Sequence, residues 1–405
     1  MTDSSTHAAW TRKLLVLSIA AAVIVSTIYL PQPMLADLAA DLGVEPTLAG
    51  VIATTVQAGY AVGILLFVPL ADRIHPRRQV TIQSILLAAA LLISAVLPGV
   101  LAVAIGFLVI GLVANIPQIL IPVASRLSPP ERRGATMGAL VGAILIGIFG
   151  GRIVASLLVG VIGWRWVLVV FAAFVLILLP FVRRALDVEL SLEGEPRRYG
   201  RLLLSTLALA KRSPVLMQSA VTQFFIFATF NSIWTVMVLH LTSGSIGWTV
   251  LGAGLFGLVG LAAGVAVPFV GRFIDRFGPV PVAGVLLLVM LAAVASAIVD
   301  SGLVVLFGVS IFVATWANQS VLSAHQARVI AANPGRSAQA NTLFMFFVFL
   351  GGSLGALLGP IAYAAGGMPL VAAQGVIFTL VSLVTWAISA RVRTPILSTI
   401  ELEIP

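Results

Sequence analysis

The chain has 405 residues, of which 60% are hydrophobic and 9% charged, whereas a water-soluble domain carries about 25% charged residues. That deficit excludes a soluble fold with a polar exterior and leaves lipid as the solvent. The net charge of +9 lies in short clusters between apolar runs, so nucleic acid is excluded as a partner; the absence of cysteine excludes disulfides and thiolate metal sites.

The polar start, Met1 to Ala9, leads into an apolar run ending at Leu30 without a small-residue cleavage site, which reads as a retained first span. Runs of about 20 apolar residues, each able to cross a roughly 30 Å hydrocarbon layer, lie near 14–36, 48–70, 80–97, 101–123, 135–162 and 166–182. Six more follow near 215–239, 248–270, 280–299, 303–325, 338–363 and 368–390. The pattern predicts an all-α integral membrane protein with twelve transmembrane helices. Of the 23 lysines and arginines, 21 fall in the loops and termini of one side, while the opposite loops carry Asp37, Asp41, Glu45 and Asp300. Crossing costs sort basic residues to the cytoplasmic leaflet, so both termini are expected in the cytoplasm of a bacterium, with the chain multi-pass in its inner membrane. Trp164 and Trp166 are expected in the interfacial aromatic belt.

The longest polar stretch runs from Arg183 to Pro214 and divides the chain near its middle. The expected organisation is an N-terminal six-helix bundle (1–182), a cytoplasmic linker (183–214), a C-terminal six-helix bundle (215–393) and a cytoplasmic tail (394–405). Within the linker the apolar segment Leu202 to Leu209, between Arg201 and Lys211, should lie along the inner membrane face. The two halves repeat. Asp72–Arg73 and Asp275–Arg276 lie 203 positions apart, as do Arg133 and Arg336, and Arg126 and Arg328 are 202 apart. An offset constant to within one residue at three marks argues for a six-helix unit used twice, an arrangement that places a solute site between two bundles near the midplane.

At these residues the chain resembles the major facilitator superfamily over essentially its whole length. That family carries Gly-x-x-x-Asp-Arg-x-Gly, then Arg or Lys, after its second span. The second copy here has Gly271, Asp275, Arg276 and Gly278; the first keeps Asp72, Arg73, Arg77 and Arg78 but has Val68 and His75 where the glycines would stand. The resemblance implies two pseudo-symmetric bundles working by alternating access, with these loops latching the cytoplasmic side when the carrier faces outward. In the fifth span, where Gly150 adds a further glycine, Gly147 and Gly151 fit part of the glycine motif of the drug/proton antiporter branch, while Ala143, Ile148 and Arg152 replace its first glycine, its proline and its last glycine. Tyr29–Leu30–Pro31–Gln32–Pro33 is similar to an exporter-like bacterial branch.

Arg152 lies 11 residues before Gly163, about 16 Å of helix from the outer end. An arginine so deep costs at least about 2.5–3.5 kcal/mol to insert and usually faces a bundle interior or wet cavity. All 14 acidic residues lie at span ends, loops or tails, so no buried carboxylate accompanies it; Asp37 and His325 remain as proton-coupling candidates. Amides and aromatics inside spans are costly without partners, which marks Tyr29, Gln32, Gln57, Tyr60, Asn115, Gln118, Asn231, Trp234, Trp316, Asn318 and Gln319, with Arg152, as the expected substrate cavity. Catalytic constellations, phosphate loops and metal-ligand spacing are lacking, so the chain is read as no enzyme and needs no cofactor or metal. The expected function is proton-coupled efflux of a small amphipathic compound or drug by a monomer, with membrane lipids and protons as further partners. The alternative is a carrier of an organic anion, sugar or other metabolite with Arg152 in the binding cavity.

Overall fold

The computed structural model describes residues 2–187, 199–300 and 302–391, without the side chains of 2–9, 72, 300 and 389–391. Nine of its helical segments are long and apolar enough to cross a membrane. Two of these are double, because 133–185 breaks at Gly163 and 337–391 breaks at Gly366–Gly367. The shorter helix Pro76–Ser94 adds another, which makes twelve crossings and returns the chain to the end it started from. This is an all-helical, multi-pass membrane protein. Its surface is apolar, with Ile85, Val161, Val299 and Val305 exposed to the surroundings, while Gln57, Asn115, Gln223 and Asn318 are fully buried.

The first span is Thr2–Ser26 with one 3-10 turn, Thr27–Tyr29, and so stops short of the expected residue 36. Pro31 and Pro33 supply no backbone N–H and their rings clash with the preceding turn, so the chain unwinds there before a short helix, Leu35–Leu42. The fourth span is broken between Val100–Val113 and Ile116–Leu127, where Asn115 caps the break by donating to the Leu112 carbonyl at 2.7 Å and accepting from Gln83 at 3.1 Å. The eighth is built of Val250–Leu255, Gly257–Ala266 and Pro268–Phe277. Between the halves the helix Tyr199–Arg212 turns Thr206 and Leu209 inward and leaves Leu204 exposed, as an amphipathic surface helix should. It is tied down by Tyr199 donating to the Leu66 carbonyl at 2.6 Å and Gln339 donating to Ser205 at 3.3 Å.

In both halves the same close helix crossing appears. A Cβ on Gly147 or Gly151 would collide with Ala22 or Ser26 of the first span; a Cβ on Gly351 or Gly355 would collide with the backbone of Phe224 or Ala228 in the seventh. The glycines recur after 204 positions and their partners after 202. Without a hydrophobic effect to press helices together in lipid, small residues that let backbones touch supply the packing. Gly150, one residue from Gly151, has only the Ile146 side chain of its own helix near it, at an ordinary contact distance of 3.8 Å from an added Cβ.

Trp164 departs from the expected aromatic belt. It is 3% exposed and donates to Asp41 at 3.1 Å, while Trp166 is 62% exposed. Asp41 also pairs with Arg165 at 2.9 Å, and Arg165 donates to the carbonyls of Ala95 and Leu97 at 2.9 and 3.1 Å. Asp41 and Arg165 together thus tie three turns of the first half to one another, which an isolated tryptophan in a sequence cannot announce.

Candidate functional site: a cavity between the halves and its arginine roof

The two halves of the chain meet near the end that carries Asp37, Asp41 and Glu45. There Gly50 abuts Pro360, Ser353 donates to the Thr54 carbonyl at 3.0 Å, and Gly254 and Gly257 sit on Ser156 and Ile153. Deeper, Tyr60 packs edge-on against Phe349 with ring centroids 4.4 Å apart. Toward the basic end the halves part around a cavity with about 900 Å³ of empty space, mouth included. Its walls are Tyr29, Tyr60, Phe227, Phe230 and Phe349 with aliphatic neighbours, and its polar points are Gln118, Gln319, Ser323 and Gln326; among the described residues it is lined by no charged side chain.

Arg152 stands just beyond the cavity's closed end and is 4% exposed. Its Nε donates to Gln32 Oε1 at 2.8 Å and its Nη1 to the Ile148 carbonyl one turn back at 2.8 Å. Tyr29, Trp234, Phe149 and Phe230 surround the guanidinium with ring centroids 4.3, 5.0, 5.4 and 6.0 Å from its central carbon. Ring faces attract a desolvated cation, which explains how a charge without a carboxylate persists in the hydrocarbon interior. Because guanidinium only donates, Gln32 must turn its oxygen to Arg152. Its nitrogen then reaches across to the second half, to Asn231 Oδ1 at 3.0 Å and Thr235 at 3.4 Å. The proline-enforced unwinding after Tyr29 is what lets Gln32 face both ways.

Of the residues expected in the cavity, Tyr29, Tyr60, Gln118 and Gln319 are in its walls. Gln32, Arg152 and Asn231 form the roof, and Trp234 sits beside them, bonded to Thr315 at 3.2 Å. Gln57 and Asn115 are buried within the first half, and Asn318 within the second, where it accepts from Gln223 at 3.2 Å. Trp316 faces away, lining an apolar groove with Phe269, Phe273 and Val285. Sequence reading passed over Phe149, Phe227, Phe230, Phe349 and Thr235, since a phenylalanine in a membrane span carries no mark of which way it points.

His325 is 2% exposed, and neither ring nitrogen has a hydrogen-bond partner among the described residues. It neighbours Gln326 of the cavity wall. Asp37 lies apart from both, half-buried in the short helix after the first span, where burial pushes its carboxyl above the ordinary range against the pull of its own backbone N–H.

At the basic end Arg77 pairs with Asp187, and His75 accepts from the Arg77 backbone N–H at 3.3 Å. That cap accounts for the divergence of the first loop. His75 sits at φ −53°, whereas Gly278 turns at φ +84°, a region open to glycine. Gly271 has open space around it, and Arg276 stacks over Phe277 at 5.1 Å. Arg73 closes the turn before the third span and Arg78 lies in that span's first helical turn, while Arg272 and Asp275 lie in the last helix of the eighth span, Pro268–Phe277; the side chain of Asp72 lies outside the described residues.

The family model of the Major Facilitator Superfamily matches residues 17–331 and again 219–401. The chain belongs to the major facilitator superfamily. Within it, a Streptomyces coelicolor protein named as a transporter is 32% identical over 263 residues, a match spanning 65% of this chain and 61% of that relative. The uncharacterized transporter YgaY of Escherichia coli is 29% identical over 92% of this chain and 94% of its own length. A crystal structure of the nucleoside transporter NupG superposes with a TM-score of 0.73 at 15% identity, covering 94% of this chain and all of that one. The fold is therefore that of the superfamily's carriers, and the chain is a transporter rather than an enzyme.

Proposed function

We propose that the chain is a secondary active transporter working by alternating access, which exports a small amphipathic compound across the bacterial inner membrane in exchange for protons. The observation that carries this reading is the cavity between the halves, with aromatic walls, four polar points and no charge, the lining expected of a pocket for a largely apolar solute. With the basic end assigned to the cytoplasm by the positive-inside rule, this is an inward-facing state closed on the outer side. Residues 1–182 and 215–393 then act as two rocking bundles joined by the linker, and a monomer suffices. The Asp72 and Asp275 loops would latch the cytoplasmic side in the opposite state, a role supported by their place at the mouth-side span ends.

In proteoliposomes with an imposed pH gradient, solute accumulation should follow the gradient and collapse with a protonophore. Accumulation indifferent to the gradient sinks proton exchange. His325→Leu and Asp37→Asn, measured in the same assay, assign the coupling: the one that carries the proton should lose gradient-driven uptake while keeping solute counterflow.

The outer contact offers a second check, made clean by the lack of native cysteine. Thr54→Cys with Ser353→Cys places thiols where the halves touch. Oxidative cross-linking should arrest transport, and reduction should restore it. Full transport in the cross-linked protein would contradict alternating access at this seam.

A further inference from the structure

Arg152 has a donor left over. Its Nη2 is fully buried and finds no acceptor among the described residues, and the same is true of Asn231 Nδ2. Both belong to the chain of contacts Ile148, Arg152, Gln32, Asn231 that crosses from one half to the other. Two unspent donors, one of them on a permanent cation, sit at one seam with no described carboxylate paired to them; the ion pairs found elsewhere among the described residues, Arg77 with Asp187 and Arg165 with Asp41, lie at the two ends of the molecule. A buried guanidinium held only by amide and carbonyl oxygens binds an anion more strongly than either, since charge-assisted and bidentate pairs are the strong ones.

Tyr29 and Phe230 are walls of the cavity and members of the ring cage around Arg152 at once. One layer of aromatic side chains therefore separates the solute space from the cation.

We infer that Arg152 and Asn231 form an anion site at the head of the cavity, taking the carboxylate of an amphipathic solute whose apolar body lies between Tyr60, Phe227 and Phe349. This rests on the carrier reading above and names its solute class. The site also couples binding to motion. An anion on the guanidinium competes with Gln32 Oε1 for Nε, and Gln32 is the residue that holds Asn231 and Thr235 of the other half. Seating the anion thus loosens the polar link that keeps the outer side shut.

The test uses 2-naphthoate and its neutral amide as probes on the full-length protein in detergent, at fixed ionic strength. Naphthoate should raise the thermal midpoint by several degrees and bind about tenfold or more tighter than naphthamide. Arg152→Gln should respond to naphthoate no more than to naphthamide. Gln32→Glu should likewise ignore naphthoate, because its own carboxylate occupies the guanidinium; this variant keeps the test decisive if Arg152→Gln fails to fold. Naphthoate should also slow cross-linking of Thr54→Cys with Ser353→Cys. If exchanging isethionate for chloride gives the same shift, the anion site stands and its occupant is an inorganic ion. Equal response to acid and amide, or an unchanged naphthoate response in Gln32→Glu, overturns the inference. Gradient-independent transport with the naphthoate response intact would instead overturn only the proton coupling.

Discussion

Gly151→Leu and Gly355→Leu are expected to lower stability by about 1–3 kcal/mol each, the usual range for overpacking, whereas Gly150→Leu should change it little. The two glycines meet Ser26 and the Ala228 backbone across a helix crossing, and a side chain there has nowhere to go without prising spans apart. At Gly150 an added Cβ would meet only the Ile146 side chain of its own helix, at an ordinary 3.8 Å. Thermal midpoints of the purified variants in one detergent decide it. A Gly150 variant as damaged as Gly151 would mean that the close helix crossing does not drive the loss, since glycine to leucine raises helix propensity at both positions. Gly147→Leu and Gly351→Leu should follow the same pattern, because the same crossing recurs in the second half of the chain.

The second large effect is expected from Gln32→Leu, which strips the buried Nε of Arg152 of its acceptor and removes the bridge to Asn231 and Thr235. Leaving a buried donor unsatisfied costs about 1–3 kcal/mol and more when it is charged. Asn231→Leu should cost less, since it breaks the bridge but leaves the guanidinium bonded. The double variant should fall short of additivity by about 0.5–3 kcal/mol, as for residues sharing one network. A neutral Gln32→Leu would show that the aromatic cage alone sustains Arg152.

The twelve crossings, the common end of the termini and the twofold repeat were legible in the residue string because lipid imposes a coarse rule: apolar for about 20 residues, then polar. Arg152 was legible too, since a charge amid such a run is conspicuous whatever surrounds it. Span edges were harder. The first helix was expected to reach residue 36, but the prolines at 31 and 33 end it at Tyr29. Polar residues in spans were all candidates for the cavity, yet burial alone does not separate a bond within one half, as at Asn115 and Gln83, from a wall of the solute space, as at Gln118.

The sequence by itself determined that this protein lives in a bilayer, crosses it twelve times and places a cation deep inside, because hydrophobicity is a local property of each segment. Only the tertiary structure decided that Gln32 joins that cation to the other half, that Gly147 and Gly151 but not Gly150 carry helix contacts, and that Trp164 serves Asp41. Those pairings depend on the rotation of each helix about its axis, which is set by neighbours 100 or more positions away in the chain.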